Sequence, residues 1–305
     1  MSVRYRQHSL PQPLSRFVEC VWFLRSNGDG PPSGPERIVP DGCPELILQF
    51  AEACRAGRSR EALILQPKAF LVGPLTSCFF VEPVGAVSTM GIRFRPGGLA
   101  RFLPIEAAQI TDRQIALEDL WGREGRRLEE RLCEAGDDAS RVAVASRFLM
   151  GRLSGSDTRE RPVERAVAWM LRRRGPVSVE GLAQDFGLSR RHLERVFRSE
   201  AGMGPARLGR VIRFQNVFRA LASEASDWVS IALRVRVLRP VAPHPRLPGL
   251  RRGVARRLPA RGRRLPQGLR LAAAPGALLR LRRERRIRPR RGAGNIHRLP
   301  LRRAS

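Results

Sequence analysis

Lysine is almost missing from this chain: Lys68 is the only one in 305 residues. The 57 basic residues are therefore nearly all arginine. That skew points to a GC-rich gene, since most arginine codons begin with CG, and says little about chemistry. Acids are the scarcer charge, 28 of them, and the net charge of +29 points to a polyanionic partner. Cysteine is sparse as well. Cys20, Cys43, Cys54, Cys78 and Cys133 are odd in number, scattered and never in a C-x-x-C pair. A disulfide framework or a zinc site does not fit that pattern, and a reducing cytoplasm does. No apolar run reaches the roughly 18 residues that a bilayer requires. The N-terminus lacks the basic start, apolar run and small-residue site of a signal peptide. The expectation is a cytoplasmic protein with no membrane contact. A phosphate-cradling glycine loop is missing too, because Pro96-Gly97-Gly98 lacks the lysine and the spacing of one. No cofactor and no metal are expected.

The charge is unevenly placed. From Arg234 to the end, 23 arginines face a single acid, Glu284, whereas the rest of the chain carries 34 basic and 27 acidic residues. Nine prolines fall between Pro240 and Pro300, so no long continuous helix can form there. Rich in arginine and proline and poor in aromatics, residues 234–305 read as a disordered tail.

Before that tail the chain has the length of two ordinary domains. Up to about residue 104 it reads as strands and turns. Val18 to Arg25 is an apolar strand, and Pro31 to Pro35 a loop. A Pro-Asp-Gly turn separates two apolar runs between Arg37 and Phe50. Ala69 to Leu75, Cys78 to Val81 and Val87 to Arg95 continue the series, which suggests a small barrel or sandwich. A helix around Leu99 to Leu103 follows Arg95-Pro96-Gly97-Gly98. The period then changes. Leu117, Leu120, Trp121, Leu128 and Leu132 form one helical apolar set, and Val142, Val144, Phe148 and Leu149 another. Gly155-Ser156-Asp157 breaks the pattern and marks a domain boundary. Arg161 to Arg174 is helical, with Val163, Ala166, Val167 and Met170 on one face. The fold class is α+β: a β-rich, barrel-like domain with helices over 1–154, then an all-α domain over 158–233.

The stretch Val177 to Gly202 carries the functional signal. Ser178 is placed to cap a short helix whose apolar face is Leu182, Ala183 and Phe186. Gly187 can end it in the left-handed conformation. Ser189 caps a second helix with the stripe Leu193, Val196 and Phe197. Helix, glycine turn and helix at this spacing form the helix-turn-helix pattern. Arg191, Glu194 and Arg195 project together from the first turns of the second helix, where a recognition helix reads base edges in the major groove. Arginine can bond a guanine edge through two donors, and glutamate can accept from a cytosine amino group. Ser189, Arg190, His192 and Arg198 flank this face and are placed to meet phosphates. On charge alone, a merely solvated amphipathic helix is the stronger reading.

Family likeness reverses that balance. Leu182-Ala183, Gly187-Leu188-Ser189, Leu193, Phe197 and Gly202 closely resemble the first helix-turn-helix of AraC/XylS-type transcriptional regulators. YRQHSLPQPLSRFVECVWF, ERIVPDGCPEL, LVGPL and GIRFRPGGLARFL resemble a sensory domain found in front of such DNA-binding domains. The likeness implies a sequence-specific regulator that binds double-stranded DNA. It also implies a cupin-like N-terminal domain that binds a small effector or mediates homodimerisation, and RNA polymerase as a partner. An enzyme is not expected.

The resemblance stops abruptly. The joining helix of such domains is present, opened by Pro205, with Leu208, Ile212, Gln215, Phe218 and Leu221 on one stripe. The second unit begins at Asp227 with WVSIAL, and after Leu233 no recognition helix follows. A one-base frame change near codon 234 accounts for the break. Back-translation with free wobble bases, read one base later, allows ACGYFDQSHL and a continuation like the family's second recognition helix. Two other readings compete. The arginine tail alone would make a non-specific nucleic-acid-binding protein. Cys43, beside Asp41 and Glu45 and with His8 as a partner, would make an enzyme nucleophile, and His8, Asp41 and Glu45 would make a metal site. Trp22, Phe23, Phe79 and Phe80 either line an effector pocket or pack in the core.

Overall fold

Alternating apolar residues give the N-terminal strands two buried faces, and the sheet order follows from how those faces are covered. In the computed structural model, which describes residues 3–26, 34–154, 159–173, 177–222 and 271–272, strand β2 (Val18–Ser26) lies between β1 (Val3–His8) and β9 (Val87–Phe94). The sheet continues through β4 (Glu45–Gln49), β7 (Ala69–Val72) and β10 (Gln114–Ala116), every pairing antiparallel. A second sheet contains β3 (Glu36–Ile38), β8 (Phe79–Glu82), β5 (Arg55–Gly57) and β6 (Ile64–Leu65), in that order.

One face of the six-stranded sheet, with Val21, Phe23, Leu46, Leu48, Leu71, Met90, Ile92 and Phe94, packs under helices. These are α1 (Leu117–Trp121), α2 (Arg123–Glu134) and α3 (Asp138–Ser154), with short 3-10 turns at Gly98–Arg101 and Ala107–Ile110. Leu117, Leu120, Trp121, Leu128, Leu132 and Leu149 are buried there, as the helical period predicts. Val142, Val144 and Phe148 are only partly buried at the rim. Each fully buried aliphatic or aromatic side chain is worth about 1.5–3 kcal/mol. The opposite face carries a smaller cluster of Cys20, Trp22, Ile47, Phe70 and Val72. The Trp22 indole packs against Gly91: a Cβ there would meet the ring at 2.1 Å, so any larger residue at this strand position must displace the indole.

Four helices complete the described chain. Helices α4 (Pro162–Arg173), α5 (Val179–Asp185), α6 (Arg190–Ala201) and α7 (Pro205–Ala222) enclose a core of their own. The predicted face of α4 holds: Val163, Ala166, Val167 and Met170 are all buried. Helix α3 ends at Ser154 and α4 begins at Pro162, on either side of the Gly-Ser-Asp break. The predicted helix at Leu99 to Leu103 is instead a single 3-10 turn. No helix among the described residues is long and apolar enough to cross a membrane. The start of the second unit at Asp227 to Leu233, the side chains of Phe218 and Leu221, and most of the tail lie outside the described residues. Within the tail, Leu271–Ala272 form β11, which runs parallel to β3 at the edge of the second sheet.

Candidate nucleic-acid interface

Local chemistry sets both ends of the helix pair. The Ser178 hydroxyl accepts from the Gly181 amide at 3.1 Å, and the Ser189 hydroxyl accepts from the His192 amide at 3.2 Å. Each satisfies one of the amides left open in a first helical turn, worth about 0.5–2 kcal/mol. Between them Gly187 takes φ +64°, and the Leu188 amide donates back to the Ala183 carbonyl at 2.9 Å. Leu193, Phe197 and Ala201 turn inward onto Val163, Val167, Leu182 and Leu208. With one face of α6 held in this core, the other is fixed in space.

That other face is basic. Arg190, Arg191, His192, Arg195 and Arg198 are exposed. The structure separates the three predicted base readers. Arg191 and Arg195, four residues apart on one ridge, form no ion pair among the described residues. Glu194 is half-buried and engaged: it accepts from Arg190 at 3.3 Å and pairs with Arg198 at 3.5 Å. Arg190 also reaches Glu180 of α5 at 2.7 Å. The sequence reading missed Glu180, because its pairing spans the glycine turn and has no helical spacing. Of the residues assigned to phosphates, Arg190 and Arg198 are thus held by carboxylates, the Ser189 hydroxyl is committed to its cap, and His192 is open.

The C-terminal end of α6 meets the β-rich half. Gly202, at φ +74°, lies so close to it that a Cβ would meet the Thr111 hydroxyl at 2.6 Å and Pro74 at 2.8 Å. The Thr111 hydroxyl donates to the Gly202 carbonyl at 2.7 Å. Arg101, with a fully buried side chain, donates to Glu164 of α4 at 2.6 Å and also to the Arg159 carbonyl. Gln215 of α7 donates to the Pro40 carbonyl at 2.6 Å. The four-helix unit is therefore clamped to the β-rich half at three points, through α4, the end of α6 and α7.

The groups considered for catalysis are arranged otherwise. Asp41, Glu45 and Glu19 all converge on buried Arg93, at 2.5, 2.6 and 2.9 Å. Two of the three groups considered for a metal, Asp41 and Glu45, are thus spent on a guanidinium. Cys43 lies among them, and burial pushes its thiol well above the usual range; Arg93 opposes that, and Asp41, Glu19 and Glu45 add to it. His8 packs edge-on against Phe23 and its buried Nε2 has no hydrogen-bond partner among the described residues, while the Cys43 thiol reaches Glu19 at 3.8 Å and the Asp41 carbonyl at 4.0 Å. The aromatic residues do not form one pocket. Trp22 and Phe23 occupy opposite faces of β2, and Phe80 stacks under Arg37 and Arg60.

Comparison with known proteins adds the following. Residues 7–116 match the family described as a domain of unknown function, DUF6597. No curated protein matches the chain significantly. Among solved structures, ToxT from Vibrio cholerae is similar at 10% identity and TM-score 0.36, covering 77% of this chain and 88% of ToxT. ToxT bound to (E)-4-(8-methylnaphthalen-1-yl)but-3-enoic acid is similar at 9% identity and TM-score 0.36, with 77% and 88% covered. The AraC-like transcriptional activator CuxR is similar at 17% identity and TM-score 0.25, with 75% and 91% covered. Residues 7–116, from the end of β1 through β10, are thus similar to the DUF6597 family.

Proposed function

We propose that this chain is a sequence-specific DNA-binding transcriptional regulator of the AraC type, responding to a small effector. One observation carries the reading: Arg191 and Arg195 form no ion pair among the described residues and lie on the exposed ridge of α6, whose opposite face is locked in a core by Leu193 and Phe197. An arginine with no acid partner, on a rigid helix, is pre-organised for a guanine edge. Arg190, Arg198, Ser189 and His192 position the helix on phosphates. Glu194 holds Arg190 and Arg198 in the free protein. On DNA those arginines turn to phosphates, and the carboxylate then accepts from a cytosine amino group.

The chain as it stands is a weak discriminator under this reading, because the sequence after Leu233 no longer resembles the family's second recognition helix. The frame change near codon 234 supplies the missing unit, and the gene sequence tests it directly: a reading frame shifted by one base must encode the second helix-turn-helix. The DNA reading is tested by titrating a duplex selected from random sequence. Arg191→Ala or Arg195→Ala should cost about 1–3 kcal/mol on the selected duplex and leave a scrambled one nearly unaffected. Equal loss on both would assign these arginines to phosphates.

A further inference from the structure

A groove of about 640 Å³ lies between α2 and α3 and is also lined by Arg101, Phe102 and Leu103. Its walls carry Arg127 and Arg131, one turn apart on α2, and Arg147 and Arg152 on α3. Arg152 is occupied: it donates to the Phe102 carbonyl at 3.0 Å, pairs with Glu124 at 2.5 Å and covers the Trp121 ring at 4.9 Å. Glu124 is the only acid among the residues lining the groove, and Arg152 takes it. Arg127, Arg131 and Arg147 are exposed and form no ion pair among the described residues. Beneath them lie Leu128, Val144 and Phe148. Three uncompensated cations facing one concavity repel each other and focus a positive potential into it. The volume is that of a small-molecule site.

We propose that this groove binds a small amphipathic organic anion. Its carboxylate or phosphate head sits among Arg127, Arg131 and Arg147, and its apolar body lies on Leu128, Val144 and Phe148. The proposal rests on the regulator reading and supplies the chemical class of that regulator's effector. The groove also shows how such an effector is felt at the DNA. Arg101 is among its lining residues and holds Glu164 of α4, so an occupant borders the clamp between the two halves.

The test titrates the full chain with anilinonaphthalene sulfonate, an amphipathic anion that fluoresces on apolar surfaces. Saturable binding is expected, displaced by octanoate or octyl phosphate and not by octanol; which of the two acids displaces it at lower concentration identifies the head group. Arg131→Ala and Arg147→Ala should each weaken the dye about tenfold, the worth of one charge-assisted contact. Gly151→Leu should block the groove without removing a charge, because a Cβ on Gly151 meets nothing within 4 Å and the residue lines the groove. Leucine also favours the helix, which guards against misfolding as the cause. Unchanged dye affinity in these variants, or displacement by octanol as strong as by octanoate, overturns the proposal. Complete displacement of the dye by a short DNA duplex, equal for selected and scrambled sequences and unaffected by Arg191→Ala or Arg195→Ala, also overturns it and gives the groove to nucleic acid. DNA discrimination is measured on the same samples. With the frame-restored chain, discrimination of DNA without arginine-dependent dye binding overturns the groove alone, and arginine-dependent dye binding without discrimination overturns the regulator reading alone.

Discussion

At the scale of single residues, buried charge decides more than any exposed group. Arg93 is 9% exposed and holds three carboxylates that would otherwise repel one another. Arg93→Ala strands those charges and should cost about 3–5 kcal/mol, read as a lower midpoint in urea. Its partners Glu19, Asp41 and Glu45 lie 74, 52 and 48 positions away, so nothing in local spacing could reveal the cluster. The same burial governs Cys43, whose thiol is pushed up well above its ordinary value. Cys43 should therefore alkylate slowly and without selectivity at neutral pH, and fast selective labelling would restore the enzyme reading. Glu200 is a third case. Desolvation first raises its carboxyl, Arg161 at 3.8 Å opposes, and its buried Oε2 has no hydrogen-bond partner among the described residues. A carboxyl raised on folding favours the protonated fold, so its contribution is present at low pH and lost as pH rises through the raised value. Glu200→Gln should raise the melting temperature at neutral pH and remove that part of the pH dependence.

At the scale of elements, the helix pair was the most legible feature, because every signal was local. Serine caps and Gly187 in the left-handed conformation stand where spacing placed them, as do Leu193 and Phe197 of the inward stripe, while Val196 of that stripe is only partly buried. The longer apolar strands were equally plain. Strand β1, VRYRQH, was not, since a polar edge strand lacks the apolar run that announces a strand. Strand β6 was missed because it has only two residues, Ile64 and Leu65, and both are exposed. Helix α3 shows what sequence conceals at a helix start. Asp138 opens it and binds Arg25 of β2 in a bidentate pair. That hydrogen bond holds the Asp138 carboxyl below its ordinary value of 3.8, against the opposing effect of burial. A carboxyl depressed on folding stabilises above the unfolded value and loses that contribution as pH falls through the folded one. Stability should therefore drop below about pH 4, and Asp138→Asn should flatten this acid limb while lowering stability at neutral pH.

At the scale of the whole molecule, three contacts clamp the four-helix unit to the β-rich half: Arg101 to Glu164, Thr111 to Gly202, and Gln215 to Pro40. None was readable in advance, because sequence spacing carries no information about a contact 175 positions apart. Gln215 was placed on the correct stripe of α7 without its partner. Glu164→Ala leaves buried Arg101 without its carboxylate and should cost about 3–5 kcal/mol in chemical denaturation. The central claim is that α6 reads DNA sequence through Arg191 and Arg195. The most direct measurement is a paired titration of the selected and scrambled duplexes, made with the chain as it stands, with the frame-restored chain, and with Arg191→Ala and Arg195→Ala in each. The account predicts discrimination in the 10³–10⁷ range for the restored chain. It predicts much less for the chain as it stands, and a loss of about 1–3 kcal/mol confined to the selected duplex in the arginine variants. Equal discrimination by both chains, or arginine losses equal on both duplexes, would contradict it.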